Sequence, residues 1–165
     1  MKKMEIINTE KADIKNIEKH YIIREMIIKY KNYKKTKTIK IGYDEEVYKW
    51  FRKLRNEMVE KFITIYLNNS REIICFSVDF VGGMTSATVD VRIIIRNCCL
   101  VGATAIITIH NHPSGDITFS NDDKKIIQKI TKACRIVDIQ HLDSIVIGYH
   151  GFRSALKEKI LDPET

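Results

Sequence analysis

Apolar residues along this chain recur with two periods, and the alternation between them lays out the elements. Residues 61–67 read Lys-Phe-Ile-Thr-Ile-Tyr-Leu, β-branched and aromatic, which suits a pleated, half-buried surface. Asn68, Asn69 and Ser70 then supply a turn, so that 71–78 returns as the second strand of a hairpin. Residues 103–109 are an uncharged run of Ala, Ile and Thr, the composition of a buried strand, and 143–149 form a further one. Helical spacing takes over elsewhere. Val47, Trp50, Phe51, Leu54 and Met58 make one apolar stripe over 44–59 and read as core; a second helix covers 90–100. From about Ser120 to 136, Ile126, Ile127, Ile130, Cys134 and Val137 line one face while Lys124, Lys125 and Lys129 face water. Strands and helices interleaved in this order predict a single mixed α/β sandwich over 43–165. Residues 1–42 form a charged N-terminal extension, with a short strand or helix around His20 to Lys29; the tail after Gly148 packs back on the domain and 162–165 fray.

Where strand 103–109 ends, the chain reads His110-Asn111-His112-Pro113-Ser114-Gly115-Asp116, followed by Ser120 and Asp123. Histidines at i and i+2 project from the same side of an extended segment, so both imidazoles can reach one ion at the point where the strand leaves the sheet. Pro113, Ser114, Gly115 and Asp116 turn the chain back, and Asp123 falls in the first turn of the next helix, where the dipole favours a carboxylate. Two imidazoles, one carboxylate and an open fourth position are the ligand set of a catalytic zinc, although the same donors also suit iron, cobalt or nickel. Two plainer readings exist. Ser120 and Asp123 are also what a capping box needs, and His110 and His112 can be unconnected polar residues of a loop.

The stretch from 60 to 148 resembles the JAMM (JAB/MPN+) metalloprotease-like domain, and within it the bacterial RadC-like branch. The superfamily pattern is an upstream Glu, then HxH, seven residues, Ser, two residues and Asp; His110, His112, Ser120 and Asp123 match it without a gap. The RadC-like wording adds HNHPSGD, the segment Gly82-Gly83-Met84-Thr85-Ser86, and a closing Leu142-Asp143-Ser144-Ile145-Val146-Ile147-Gly148. Two positions depart from it: Ser144 stands where the family has His, and Val91-Arg92-Ile93 where it has Pro-Arg-Glu. The resemblance implies the JAB/MPN (cytidine-deaminase-like) fold, a mixed β-sheet flanked by helices. It implies one zinc ion per chain held by His110, His112 and Asp123. Glu60, the acid before the aromatic-led strand, becomes the general base, with Glu57 as runner-up; Ser120 donates to the developing oxyanion. The implied chemistry is hydrolysis of a peptide or isopeptide bond, while the branch takes its name from DNA repair. Members of that branch commonly carry an N-terminal helix-hairpin-helix module, for which this chain has no room, so a stand-alone catalytic domain is expected.

Composition changes this picture little. The net charge of +7 and the crowding of Lys29, Lys31, Lys34, Lys35, Lys37 and Lys40 admit DNA as a partner through a basic surface, yet no DNA-reading motif accompanies them. A solvated basic segment is the plainer reading. No apolar run is long enough to span a membrane and the N-terminus lacks a signal peptide's apolar region, so a cytoplasmic protein without a membrane partner is expected. Cys75, Cys98, Cys99 and Cys134 show no metal-binding spacing and read as buried free thiols. Arg92 reads as solvated or ion-paired, and His20, His141 and His150 as surface or loop histidines.

Overall fold

The computed structural model describes residues 4–5, 27–28, 39–42, 44–82 and 89–161. The chain divides into two compact units, Met1–Lys37 and Thr38–Thr165. In the first, β1 (Met4–Glu5) pairs antiparallel with β2 (Ile27–Ile28), Met4 opposite Ile28. Of the apolar cluster expected there, only this strand falls within the described residues; His20, the lysines from Lys29 to Lys37, most of the Gly82 to Ser86 segment and 162–165 lie outside them.

The second unit is built on one five-stranded sheet. Its order is β4 (Ile73–Val81), β3 (Lys61–Leu67), β5 (Ala105–Asn111), β6 (Gln140–Gly148), β7 (Gly151–Ser154). Only β5 and β6 run parallel, and their crossover is the long helix α3 (Asn121–Ile136). Strand alternation sends two sets of side chains to opposite faces. Ile63, Ile65, Leu67, Ile107, Ile109, Ile145 and Ile147 pack against Val47 and Leu54, from α1 (Asp44–Phe51) and the 3-10 turn Arg52–Asn56. Phe62, Tyr66 and Ile106 face Ile94 and Cys98 of α2 (Val91–Val101) and Ile130 and Cys134 of α3. The result is the mixed α/β sandwich expected from the element order, a mixed sheet flanked by three helices.

Several boundaries differ from the sequence reading. The helix expected over 44–59 leaves α geometry at Phe51, and its stripe breaks: Val47 and Leu54 are buried, whereas Trp50 is 41% and Met58 91% exposed. The chain is drawn out of the helix by Asn111, whose Nδ2 donates to Val59 O (3.1 Å) and whose Oδ1 accepts from Lys61 N (2.8 Å). Strand β5 starts two residues late and continues through His110 and Asn111, because β3 and β6 both keep pairing there. Strand β7 comes from the tail, paired to β6 through Val146 and Arg153. Cys99 is exposed while Cys98 and Cys134 are buried, since neighbours on a helix cannot share a face. Arg92 is solvated and pairs with the N-cap Asp90 at 2.7 Å.

His141 is the largest departure. It is buried, not on the surface: Thr108 Oγ1 lies 3.0 Å from its Nε2 and Thr131 Oγ1 2.9 Å from its Nδ1. Thr131 spends its own proton on Ile127 O, so Nδ1 donates to it and the ring is neutral. Burial depresses the imidazole from its usual 6.5 to about 4. Between about pH 6.5 and 4 the unfolded chain therefore takes up a proton that the folded chain refuses, and stability is lost as pH is lowered through that window. Urea unfolding at stepped pH will show this component in the parent, approaching about 1.4 kcal/mol per pH unit, and a shallower slope in His141→Gln. Equal slopes in the two proteins refute the assignment.

Candidate metal centre

His110 and His112 sit at the end of β5, His110 within the ladder and His112 one step past it, its N–H still bonded to Ile147 O (3.0 Å). Both rings therefore lie on the α3 side. His110 is almost completely buried beside Phe62 and Phe119, while His112 and Asp123 keep a partly open side toward solvent. The turn from Pro113 to Asp116 closes through Gly115 N to His112 O (2.9 Å), with Gly115 at φ 85°. This turn places Asp116 O 3.1 Å from His112 Nδ1, which holds a proton on Nδ1 and leaves Nε2 as the nitrogen that faces Asp123 and that would ligate a metal.

Helix α3 brings Asp123. Ser120 is the N-cap, its Oγ accepting from Asp123 N (3.1 Å), and the Asp123 carboxylate accepts from Ser120 N (2.7 Å) and Ser120 Oγ (2.6 Å). The plainer reading of Ser120 and Asp123 as a capping box is thus realised, and it coexists with the metal reading. Asp123 Oδ1 lies 3.3 Å from His110 Nε2, and Oδ2 lies 3.4 Å from His112 Nε2. The two Nε2 atoms are 3.2 Å apart. Bonds of about 2.0–2.1 Å to a tetrahedral zinc require donors about 3.3 Å from one another, so three ligands are spaced as that ion needs. Among the described residues this is the one group of His, Cys, Asp or Glu side chains that can hold a metal.

The electrostatics agree with the geometry. Burial alone would raise the Asp123 carboxyl, but hydrogen bonds from His110, His112 and Ser120 outweigh it and hold the group far below the usual carboxylate range. The Asp123 hydrogen bond raises His112 against the opposing effect of burial, and the charges of Asp123 and Glu60 add to the rise. Glu60 is therefore close enough for His112 to feel it. Its position follows from register: Phe62 pairs with His110, so continuing the antiparallel register past the ends of both strands brings Glu60, just before β3, opposite His112. Glu57 is directed elsewhere, its carboxylate 2.8 Å from Lys61 Nζ.

Two residues that shape this centre escaped the sequence reading. Asn111 lies between the histidines, so alternation throws its side chain to the opposite face, where it brackets Glu60 by bonding Val59 O and Lys61 N. That alternation was the available signal. Gly148 closes β6 beneath the turn: a Cβ there would meet Gly115 O, Asp116 O and Ile117 Cγ2. No local pattern announces such a long-range approach.

The sheet, its helices and this cluster define a JAB/MPN-type domain with a candidate metal centre. Residues 41–160 match the family described as the RadC-like JAB domain, and the chain belongs to that family. Among curated proteins it is similar to UPF0758 proteins of Psychromonas ingrahamii (42% identical over 97 residues, 59% of this chain and 43% of the relative) and Haemophilus ducreyi (37% over 106 residues, 64% and 48%). A UPF0758 protein of Bacillus cereus is 38% identical over 100 residues, 61% of this chain and 44% of the relative. The matched stretch thus spans a little under half the length of these relatives.

Gly148→Ala tests the support of the turn. It is expected to cost about 1–3 kcal/mol of stability and, by displacing Asp116 O from His112 Nδ1, to weaken any divalent-metal binding at this centre roughly 10-fold or more. Chemical denaturation and chelator competition measure the two effects; wild-type values in both would show that the turn tolerates the methyl group.

Proposed function

We propose that this protein is a zinc-dependent hydrolase of the JAMM type that cleaves a peptide or isopeptide bond, with His110, His112 and Asp123 holding one zinc ion per chain. The observation that carries the reading is the convergence of three donors at tetrahedral spacing, with His112 locked in the ligating tautomer. Bound there, zinc supplies Lewis acidity, acidifying water and polarising a carbonyl. Glu60, held opposite His112 by the Asn111 clamp, takes the proton from the attacking water and delivers it to the leaving nitrogen. Ser120 serves the oxyanion, for which its hydroxyl proton must turn away from Asp123. The partly open flanks of His112 and Asp123 admit the substrate, while Phe62 and Phe119 keep water from the far side of His110.

We assign the protein to the cytoplasm on its four free cysteines. No helix among the described residues is long and apolar enough to cross a membrane. A DNA-associated hydrolysis at the same centre would rest on the net charge of +7. It predicts a DNA affinity that falls steeply with salt.

Metal content by mass spectrometry should give about one zinc per chain in the parent and none in His112→Ala. Glu60→Gln should keep its zinc and lose about 10²–10⁴-fold in turnover of a peptide or isopeptide substrate. Absence of stoichiometric metal in the parent, even after reloading, would sink the hydrolase reading and leave an interaction module on a hydrolase fold.

A further inference from the structure

Under α2 and α3 the sheet carries a row of hydroxyls where an apolar core would be expected. Thr64 pairs with Ser77 on one side and Thr108 on the other, and Thr108 pairs with Ser144, so Ser77, Thr64, Thr108 and Ser144 stand in register across β4, β3, β5 and β6. Thr64, Thr108 and Ser144 are completely buried. At one end Thr108 Oγ1 lies within hydrogen-bond distance of both Ser144 Oγ (2.9 Å) and His141 Nε2 (3.0 Å). At the other end a β-bulge turns Asp79 inward, where its Oδ1 accepts from Ser77 Oγ (2.5 Å) and Asn97 Nδ2 (3.4 Å). The row lies two residues below His110 along the same face.

Buried polar atoms that lack a partner cluster at this spot. Four side-chain atoms among the described residues are buried without a hydrogen bond, and three of them are Thr64 Oγ1, Asp79 Oδ2 and His110 Nδ1. The fourth, Asp44 Oδ2, has Lys157 Nζ at 2.8 Å. Leaving three such atoms unsatisfied would cost about 1–3 kcal/mol each. Their donor and acceptor capacities are complementary. His110 ligates through Nε2, so a neutral ring carries its proton on Nδ1 and needs an acceptor; Thr64 offers one proton and two lone pairs; Asp79 Oδ2 accepts. Thr64 is the diagonal neighbour of His110 across the β3–β5 pair, a separation that a single water spans.

We propose that Thr64 is a positioning residue for the metal centre: a buried water accepts from His110 Nδ1–H and donates to Thr64 Oγ1, whose own proton goes to Asp79 Oδ2. The inference rests on the metal-site reading given above and deepens it. One water satisfies all three atoms, and it ties the ring of the most buried ligand to a carboxylate on the second strand away. Ligating histidines generally need such a partner at the other nitrogen, which fixes ring orientation and raises basicity. His112 finds its partner in a backbone carbonyl; for His110, surrounded by Phe62 and Phe119, Thr64 gives the way out.

The test combines crystal structures of the full chain, with and without added zinc, and zinc affinity by chelator competition for the parent, Thr64→Val and Thr64→Ser. A water peak within hydrogen-bond distance of His110 Nδ1 and Thr64 Oγ1 is expected in both crystals. Zinc binding should weaken roughly 10–100-fold in Thr64→Val and return to within about threefold of the parent in Thr64→Ser. Metal-free Thr64→Val strips a partner from buried polar atoms and should melt somewhat lower than the parent while remaining folded by circular dichroism, so zinc affinities are compared between folded proteins only. A missing water peak overturns the proposal whatever the affinities, and so does unchanged zinc affinity in Thr64→Val. A parent that binds no zinc refutes the metal reading instead, and the density beside Thr64 still decides the hydration site.

Discussion

Pairing of β5 with both of its neighbours, unbroken from Ile107 to His110, is the constraint on which the centre depends. Register with β3 runs from Ala105 to His110 without a shift, and the irregularity in the β5–β6 ladder falls upstream, between Ile106 and Ile107. The bulges of the neighbouring pair are confined to β3 and β4. This arrangement is physically necessary. A slip of one residue would exchange His110 with Asn111 across the sheet, removing a metal ligand and the clamp on Glu60 together. The apolar cost reinforces it, because Ile107 and Ile109 would leave their layer against Val47 and Leu54 at the same time. Ordinary core burial thus sets the rotation of the strand, and the chemistry inherits its precision from packing.

What the sequence revealed follows from the range of each determinant. The candidate cluster was legible because His110, His112 and Asp123 are packed into fourteen residues whose local structure is set by local rules: strand alternation for His110 and His112, helix capping for Ser120 and Asp123. Helices α2 and α3 were legible for the same reason, α3 down to its N-cap Ser120. Failures occurred where a distant partner overrides local preference. The stripe from Val47 to Met58 satisfies helical spacing, yet Asn111, far along the chain, captures Val59 and Lys61 and draws the end of that segment into extended form. His141 looks like a loop histidine until Thr108 and Thr131 enclose it from two other elements. Gly148 gives no sign of its role until the turn at Gly115 is laid over it.

A seam of polar groups in the middle of a core needs a reason, since apolar residues of the same shape would usually pack there at no loss. The seam here begins at the buried acid Asp79, crosses four strands through hydroxyls, and ends at the neutral His141. The half of the sheet that faces α1 has a core mostly of Ile, Leu and Val, and its buried polar groups are Asn111, at the Glu60 clamp, and the bonded pair Asp143 and Ser154. Among the described residues a row of hydroxyls in register across four strands is found on the face that carries His110. Such an asymmetry is what an environment tuned for a ligand would produce, and it is not what stability alone would select.

Asp123 joins these threads, because one carboxylate serves two masters. As the third residue of α3 it closes the capping box with Ser120, and with its other oxygen it faces His110. Helix initiation and ligand placement are thus the same event. Hydrogen bonds from both histidines and from Ser120 keep the group ionised without a cation, so the helix start retains its favourable negative charge. A metal arriving at the centre would meet a carboxylate already oriented by its helix and a His112 ring already oriented by its Nδ1–H bond to Asp116 O, which removes much of the ordering entropy from binding. The cap is consequently part of the site, and the competition between the two readings of Ser120 and Asp123 is resolved by geometry that satisfies both.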